Sequence, residues 1–226
     1  DNIDNTYWAS SKSFKMPEEK LGYLLVLRLP AVKFMEFRNV MLRNTSILRN
    51  YNGHLLGVSD VVNVVSNSVG YWKGNLVVAL FEFDTEDNAT RWFHSDGDVK
   101  QPDFQDRVDA ILLPAFRAIP RDKCFIHLSN FSIRDRGKFS QFLEEDEKLK
   151  ECHGGDSCVV KGEPPIKLRG IWDPSHVVVS HFGSEDDWKK HIDSDGYSSI
   201  QGQKNICSLS DDVVFNLVPI EHWQIQ

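Results

Sequence analysis

An internal repeat constrains this chain more than any other feature. Phe83-Asp-Thr-Glu-Asp-Asn leads to Ser95-Asp96-Gly97, and Phe182-Gly-Ser-Glu-Asp-Asp leads to Ser194-Asp195-Gly196, with a constant spacing of 99 residues and no gap. The same spacing relates Phe116, Ile119 and Pro120 to Phe215, Val218 and Pro219. Upstream, Gly70-Tyr-Trp72 pairs with Gly170-Ile-Trp172 at a spacing of 100. Matches that recur in order along both halves mark a duplicated unit, and a unit of this size must bury its apolar face against something.

Each half carries the same series of patterns. Residues 22–29 form a β-rich run stopped by Pro30, and Phe34, Phe37, Met41 and Leu48 then fall on one helical face. A weaker strand over 55–65 precedes a strong one over 76–83. A helix opened by acidic Glu86-Asp87 and a strand over 111–119 complete the half. The second half repeats this: strand 125–133, a helix bearing Phe139, Phe142, Leu143 and Leu149, strands 159–168 and 177–182, helix 185–192 and strand 213–218. The order is βαββαβ twice, the ferredoxin-like pattern. Such a unit makes a four-stranded antiparallel sheet with both helices on one face, so the bare face needs a cover. The expected fold is α+β, with two ferredoxin-like repeats packed as an intramolecular dimeric α/β barrel. The divisions are an N-terminal extension (1–20), a first repeat (21–121) and a second (122–226), with no flexible linker between the repeats.

The residues also resemble a known family. Gly170-Ile-Trp172, Val177-Val-Val-Ser-His-Phe182, Ser184-Glu-Asp and Ser194-Asp-Gly-Tyr197 are similar to the bacterial domain-of-unknown-function 1330 family, and Gly70-Tyr-Trp72, Glu82-Phe83, Thr85 and Ser95 match it in the first half. The resemblance implies a dimeric α/β barrel with both protomers fused. It carries over no catalytic residues. The wider superfamily includes cofactor-independent monooxygenases, haem-degrading enzymes, peroxidases and isomerases, and fold alone does not choose among them.

The halves differ at chemistry-bearing positions: His181 stands where the first half has Glu82, His191 where it has Trp92, and Tyr197 where it has Asp98. A pocket between the sheet and the helices of one half would be walled by Trp72, Glu82, Trp92 and His94, or by Trp172, His181, His191 and Tyr197. His181 is the first choice of base, because an imidazole titrates near neutral pH and its strand is valine-rich. Glu82 is the rival, and His191 a further candidate, although His94 and His191 lie on charged helices where exposure is expected. Trp72, Trp92, His94, Trp172 and Tyr197 are the candidate ligand-binding residues. No metal site, nucleotide loop or nucleophile elbow is written in the sequence, and no cofactor is expected.

A formal net charge of -7 and a pI near 5.6 disfavour nucleic acid and anionic membrane as partners. The expected partner is a small apolar or aromatic molecule, with the chain a monomer or associating further through its outer faces. Acceptor sequons at Asn44, Asn88 and Asn130, four cysteines and a start without methionine together suggest a secreted glycoprotein. Cys152–Cys158 is the expected disulfide, with Cys124–Cys207 following from parity. Two readings stand: a secreted cofactor-independent oxygenase, with light emission a special case, or isomerase; or a secreted protein that binds an apolar ligand without changing it.

Overall fold

The computed structural model describes residues 20–95, 108–120, 124–159 and 164–223. The first half runs β1 (Gly22–Pro30), α1 (Phe34–Arg43), α2 (Thr45–Asn50), β2 (Gly53–Ser59), β3 (Asn63–Asn67), β4 (Leu76–Phe83), α3 (Glu86–His94) and β5 (Asp109–Ala115). The second runs β6 (Cys124–Ile133), α4 (Arg136–Cys152), β7 (Gly155–Val159), β8 (Ile166–Arg169), β9 (His176–Phe182), α5 (Glu185–Ile192), α6 (Asp195–Cys207) and β10 (Ser208–Val218). The expected N-terminal extension, Asp98 and the boundary at 121–122 fall outside the described residues, Lys20 excepted.

All ten strands join one antiparallel sheet, in the order β7-β9-β6-β10-β2-β4-β1-β5-β8, with β3 also on β10. The sets β2-β4-β1-β5 and β7-β9-β6-β10 share one internal order, which confirms the repeat as a structural one. Each half's expected long middle strand is instead a strand and an arm. The arm leaves its own half: β3 pairs with β10, placing Ser66 opposite Asp212, and β8 pairs with β5, placing Ile166 opposite Leu112.

Strand alternation gives each sheet two faces. Leu24, Val26, Val78, Leu80, Ile111 and Leu113 of the first half form one cluster with Ile126, Leu128, Val177, Val179, Val213 and Phe215 of the second. That cluster is a shared inner core, and each half's helices cover its other face. Helix starts follow the repeated Ser/Thr-Glu-Asp signature: Thr85 Oγ1 accepts from Asn88 N at 3.2 Å, and Ser184 Oγ from Asp187 N at 3.2 Å. Ser194 Oγ likewise accepts from Tyr197 N at 3.1 Å, so the Ser-x-x-Tyr motif is the cap of α6. That helix is unforeseen in the sequence reading, and β10 therefore starts at Ser208 instead of residue 213.

Two expectations are corrected here. The Cys152–Cys158 disulfide does not form, and the four cysteines, Cys124 and Cys207 included, are free thiols. Cys158 belongs to the inner core, where its Sγ donates to Val179 O at 3.1 Å, whereas Cys152 is exposed at the end of α4. Asn130 cannot carry a glycan in the folded chain: it is 0 % exposed and its Nδ2 donates to Asp211 O. Asn44 and Asn88 are partly exposed.

Candidate functional site

The sheet itself divides the residues expected to line one pocket. Trp72 and Trp172 both lie in the inner core, ring centroids 5.7 Å apart, with the Arg28 guanidinium 5.2 and 4.8 Å from their rings. They mark a reciprocal lock between the halves. Asp109 of β5 accepts from Ile171 N and Trp172 N at 2.7 and 2.9 Å while ion-paired to Arg28 at 2.7 Å. Asp211 of β10 accepts from Val69 N and Tyr71 N at 2.6 and 2.7 Å. Gly170 has φ +87°, and Asp109 closes on it so tightly that a Cβ there would collide. The Gly-x-Trp turns thus hold the halves together.

Glu82 and His181 continue the inner alternation of Val78–Leu80 and of Val177–Val179, and both are half-exposed. Burial and the nearby Arg117 hold His181 below its ordinary pKa. Trp92 lies on the opposite, helix-covered face, packed on Phe81 and Phe83 at 4.9 and 5.5 Å. His94 is exposed at the end of α3. The expected first-half pocket of Trp72, Glu82, Trp92 and His94 is therefore not one site.

The structure does bring His191 and Tyr197 together, rings 5.0 Å apart, under the helices of the second half. His191 is 0 % exposed, against the expected solvent-facing position, because α6 covers it. Its Nε2 lies 3.3 Å from Asp146 Oδ1 on α4. Asp146 Oδ2 also pairs with Lys150 at 2.6 Å, and Lys150 donates further to Glu147 and Ser157 at 3.1 and 3.2 Å. Ser157 hydrogen-bonds Ser180 of β9 at 2.8 Å, and Arg117 bonds Asp156 and lies 3.9 Å from Glu147.

Beside this group stands a second one that the sequence reading missed. Asp212 Oδ2 accepts from Lys204 Nζ at 2.8 Å, from Ser210 Oγ at 2.7 Å and from Ser66 Oγ at 2.6 Å. Asp212 Oδ1 lies 3.5 Å from His127 Nε2, which also meets Ser129 Oγ at 3.1 Å. Burial lowers the pKa of His127 against the pull of Asp212, so its imidazole is neutral at neutral pH. Burial alone would neutralise Asp212 and Lys204, but their mutual attraction prevails and keeps both charged. A small cavity of about 10 Å³, room for one water, lies among His127, Ser129, Phe142, Tyr197, Lys150 and Lys204.

The register shows how far the halves have parted. Tyr23 opposes Phe83 as Phe125 opposes Phe182, so His127 and Ser129 stand where the first half has Leu25 and Leu27. Ser180 and His191 stand where it has Phe81 and Trp92, and Asp212, which opposes Ser129 as Ala110 opposes Leu27, stands where it has Ala110, all in the apolar core under its helices. The same space is a continuous apolar core in one half and a buried charged cluster in the other. Burying this many ionisable groups costs several kcal/mol per ion before pairing, a cost the first half does not incur because it fills the same space with apolar side chains. Among the described residues no group of three or more His, Cys, Asp or Glu is placed to hold a metal ion, and no helix is long and apolar enough to cross a membrane.

No family model matches the chain, so the domain-of-unknown-function 1330 resemblance gains no support there, and no curated protein matches it. Solved structures do share its fold. An anthrone oxidase-like protein aligns over 90 % of this chain and 94 % of its own at TM-score 0.55 and 11 % identity. A candidate monooxygenase from Fusobacterium nucleatum aligns over 88 % and 93 % at TM-score 0.54 and 8 % identity. A chlorite dismutase variant from Candidatus Nitrospira defluvii aligns over 92 % and 96 % at TM-score 0.53 and 7 % identity. These neighbours are of the ferredoxin-like, dimeric α/β-barrel kind.

Proposed function

We propose that the two halves act as fused protomers of one α/β barrel, and that the second half is the working one. Its reaction is of the cofactor-independent oxygenase or isomerase type, on a small apolar or aromatic molecule. The observation that carries this reading is the replacement of leucine, phenylalanine, tryptophan and alanine by His127, Ser129, Ser180, His191 and Asp212 at matching positions. The fold shared with an anthrone oxidase-like protein supports the oxygenase branch. His127 is the base. It is neutral, oriented by Asp212 and lines the cavity, so it takes a proton from an acidic C–H or O–H of the substrate. Lys204 and Lys150 stabilise the resulting anion, which gives its electrons to dioxygen in an oxygenase or is reprotonated elsewhere in an isomerase. The cavity is water-sized, so α4 or α6 must part to admit a ring.

His181 is the rival base, on the inner face, and Glu82 its first-half counterpart. Oxygen uptake and product formation over a panel of small aromatic substrates decide among them. His127→Ala should lower the rate roughly 100-fold or more, while His181→Ala and Glu82→Ala stay within a few-fold. A loss confined to His181→Ala or Glu82→Ala would move the site to the inner face.

A surface groove of about 220 Å³, walled by Met41, Leu42, Leu48, Leu55 and Ile220, favours the second reading, an apolar-ligand binder. That reading gains if a ligand co-purifies with the protein and no variant above alters a rate. Secretion remains part of the proposal, with Asn44 and Asn88 as the glycan sites.

A further inference from the structure

We infer that the first half completes the candidate site of the second, with Ser66 on the β3 arm a positioning residue for His127 that acts through Asp212. The inference rests on the reading of His127 as the base, and goes beyond it by making the site composite. β3 pairs with β10 of the other half, and a register shift after Asp212 sets the local geometry of that pairing. Ser66 grips Asp212 at two points. Its Oγ donates to Oδ2 at 2.6 Å and accepts from the Asp212 backbone N at 3.2 Å. Ser210 and Lys204 reach the same Oδ2, so every donor to the carboxylate holds one oxygen and leaves Oδ1 toward His127.

The opposite arm makes no such contact. On β8 the residue at the matching ladder position, just before the same register shift, is Arg169, which opposes Ala110 and lies 5.8 Å from the Phe93 ring. A hydrogen bond between the opposed side chains at this position therefore occurs on the side with the imidazole, since Ala110 has no polar side chain to meet Arg169. The groups that face His127 are Asp212 of β10, Lys204 and Tyr197 of α6, and Lys150 and Asp146 of α4. Of these, Asp212 is the one in contact with the first half.

The test needs no substrate: the His127 ring is titrated by NMR in the intact chain, in wild type, Ser66→Ala and Ser66→Thr. Removing one donor makes the Asp212 carboxylate more basic, so it holds the His127 proton harder. Ser66→Ala should raise the His127 titration midpoint by roughly 0.5 unit or more. Ser66→Thr keeps the hydroxyl and a strand-compatible shape, and should titrate as wild type does. A midpoint in Ser66→Ala that is unmoved or falls overturns the inference, as does an equal shift in both variants. The base reading fails separately, through an unchanged rate in His127→Ala.

Discussion

Asp212 sets the charge state of the cluster, and its surroundings fix how stability must vary with pH. Asp212 and Asp146 are held well below the usual carboxylate range, so their contribution is present above about pH 4 and lost as pH falls through their folded values. His127 is held below its ordinary value, so below about pH 6.5 the unfolded chain takes up a proton that the folded chain refuses, and stability falls with acidification. Lys150 and Lys204 are raised, so their contribution persists to about pH 10.5 and is lost above it. Burial also pushes the Cys124 and Cys158 thiols up, so above about pH 8.5 the unfolded chain loses protons that the folded chain keeps, and urea unfolding should show a plateau between about pH 7 and 8.5. His127→Ala should flatten the first decline, between about pH 6.5 and 5. Stability that rises as pH falls from 7 to 5 would contradict this charge assignment. The candidate residues were only partly legible. Glu82–His181 and Trp92–His191 emerge at a spacing of 99, but His127 matches Leu25 at a spacing of 102, which the shorter connection from β7 to β9 then reduces. A single spacing therefore hides the most informative exchange.

At the scale of elements, the βαββαβ order was readable because alternation and the N-cap signatures are local. What was not readable follows from contacts between distant segments. The arms β3 and β8 look in sequence like continuations of β2 and β7, and only pairing with β10 and β5 separates them. Helix α6 has a weak apolar stripe, because buried Lys204 takes a place on its inward face and pairs with Asp212. Its start depends on the Ser194 cap. Ser194→Ala should cost about 1 kcal/mol in urea unfolding. It should also speed amide exchange over 195–200, loosening the cover of His191 and Tyr197. A wild-type exchange pattern there would show that packing alone holds α6.

In the whole molecule, the halves are joined at several independent places. They share the inner core, exchange arms, and cap each other's Gly-x-Trp turns through Asp109 and Asp211. On the proposed reading, chemistry is confined to one side of the pair, while the first half supplies an apolar scaffold and Ser66. Such a molecule has no separable part that keeps its core or its candidate site. Native-state hydrogen exchange in rising urea tests this directly, by comparing the slowest amides of β1 and β4 with those of β6 and β9. The account predicts that both sets open with one free energy, that of global unfolding. If the β6 and β9 amides open in a separate, lower-energy step while β1 and β4 stay protected, the halves are independent domains and the composite unit is wrong.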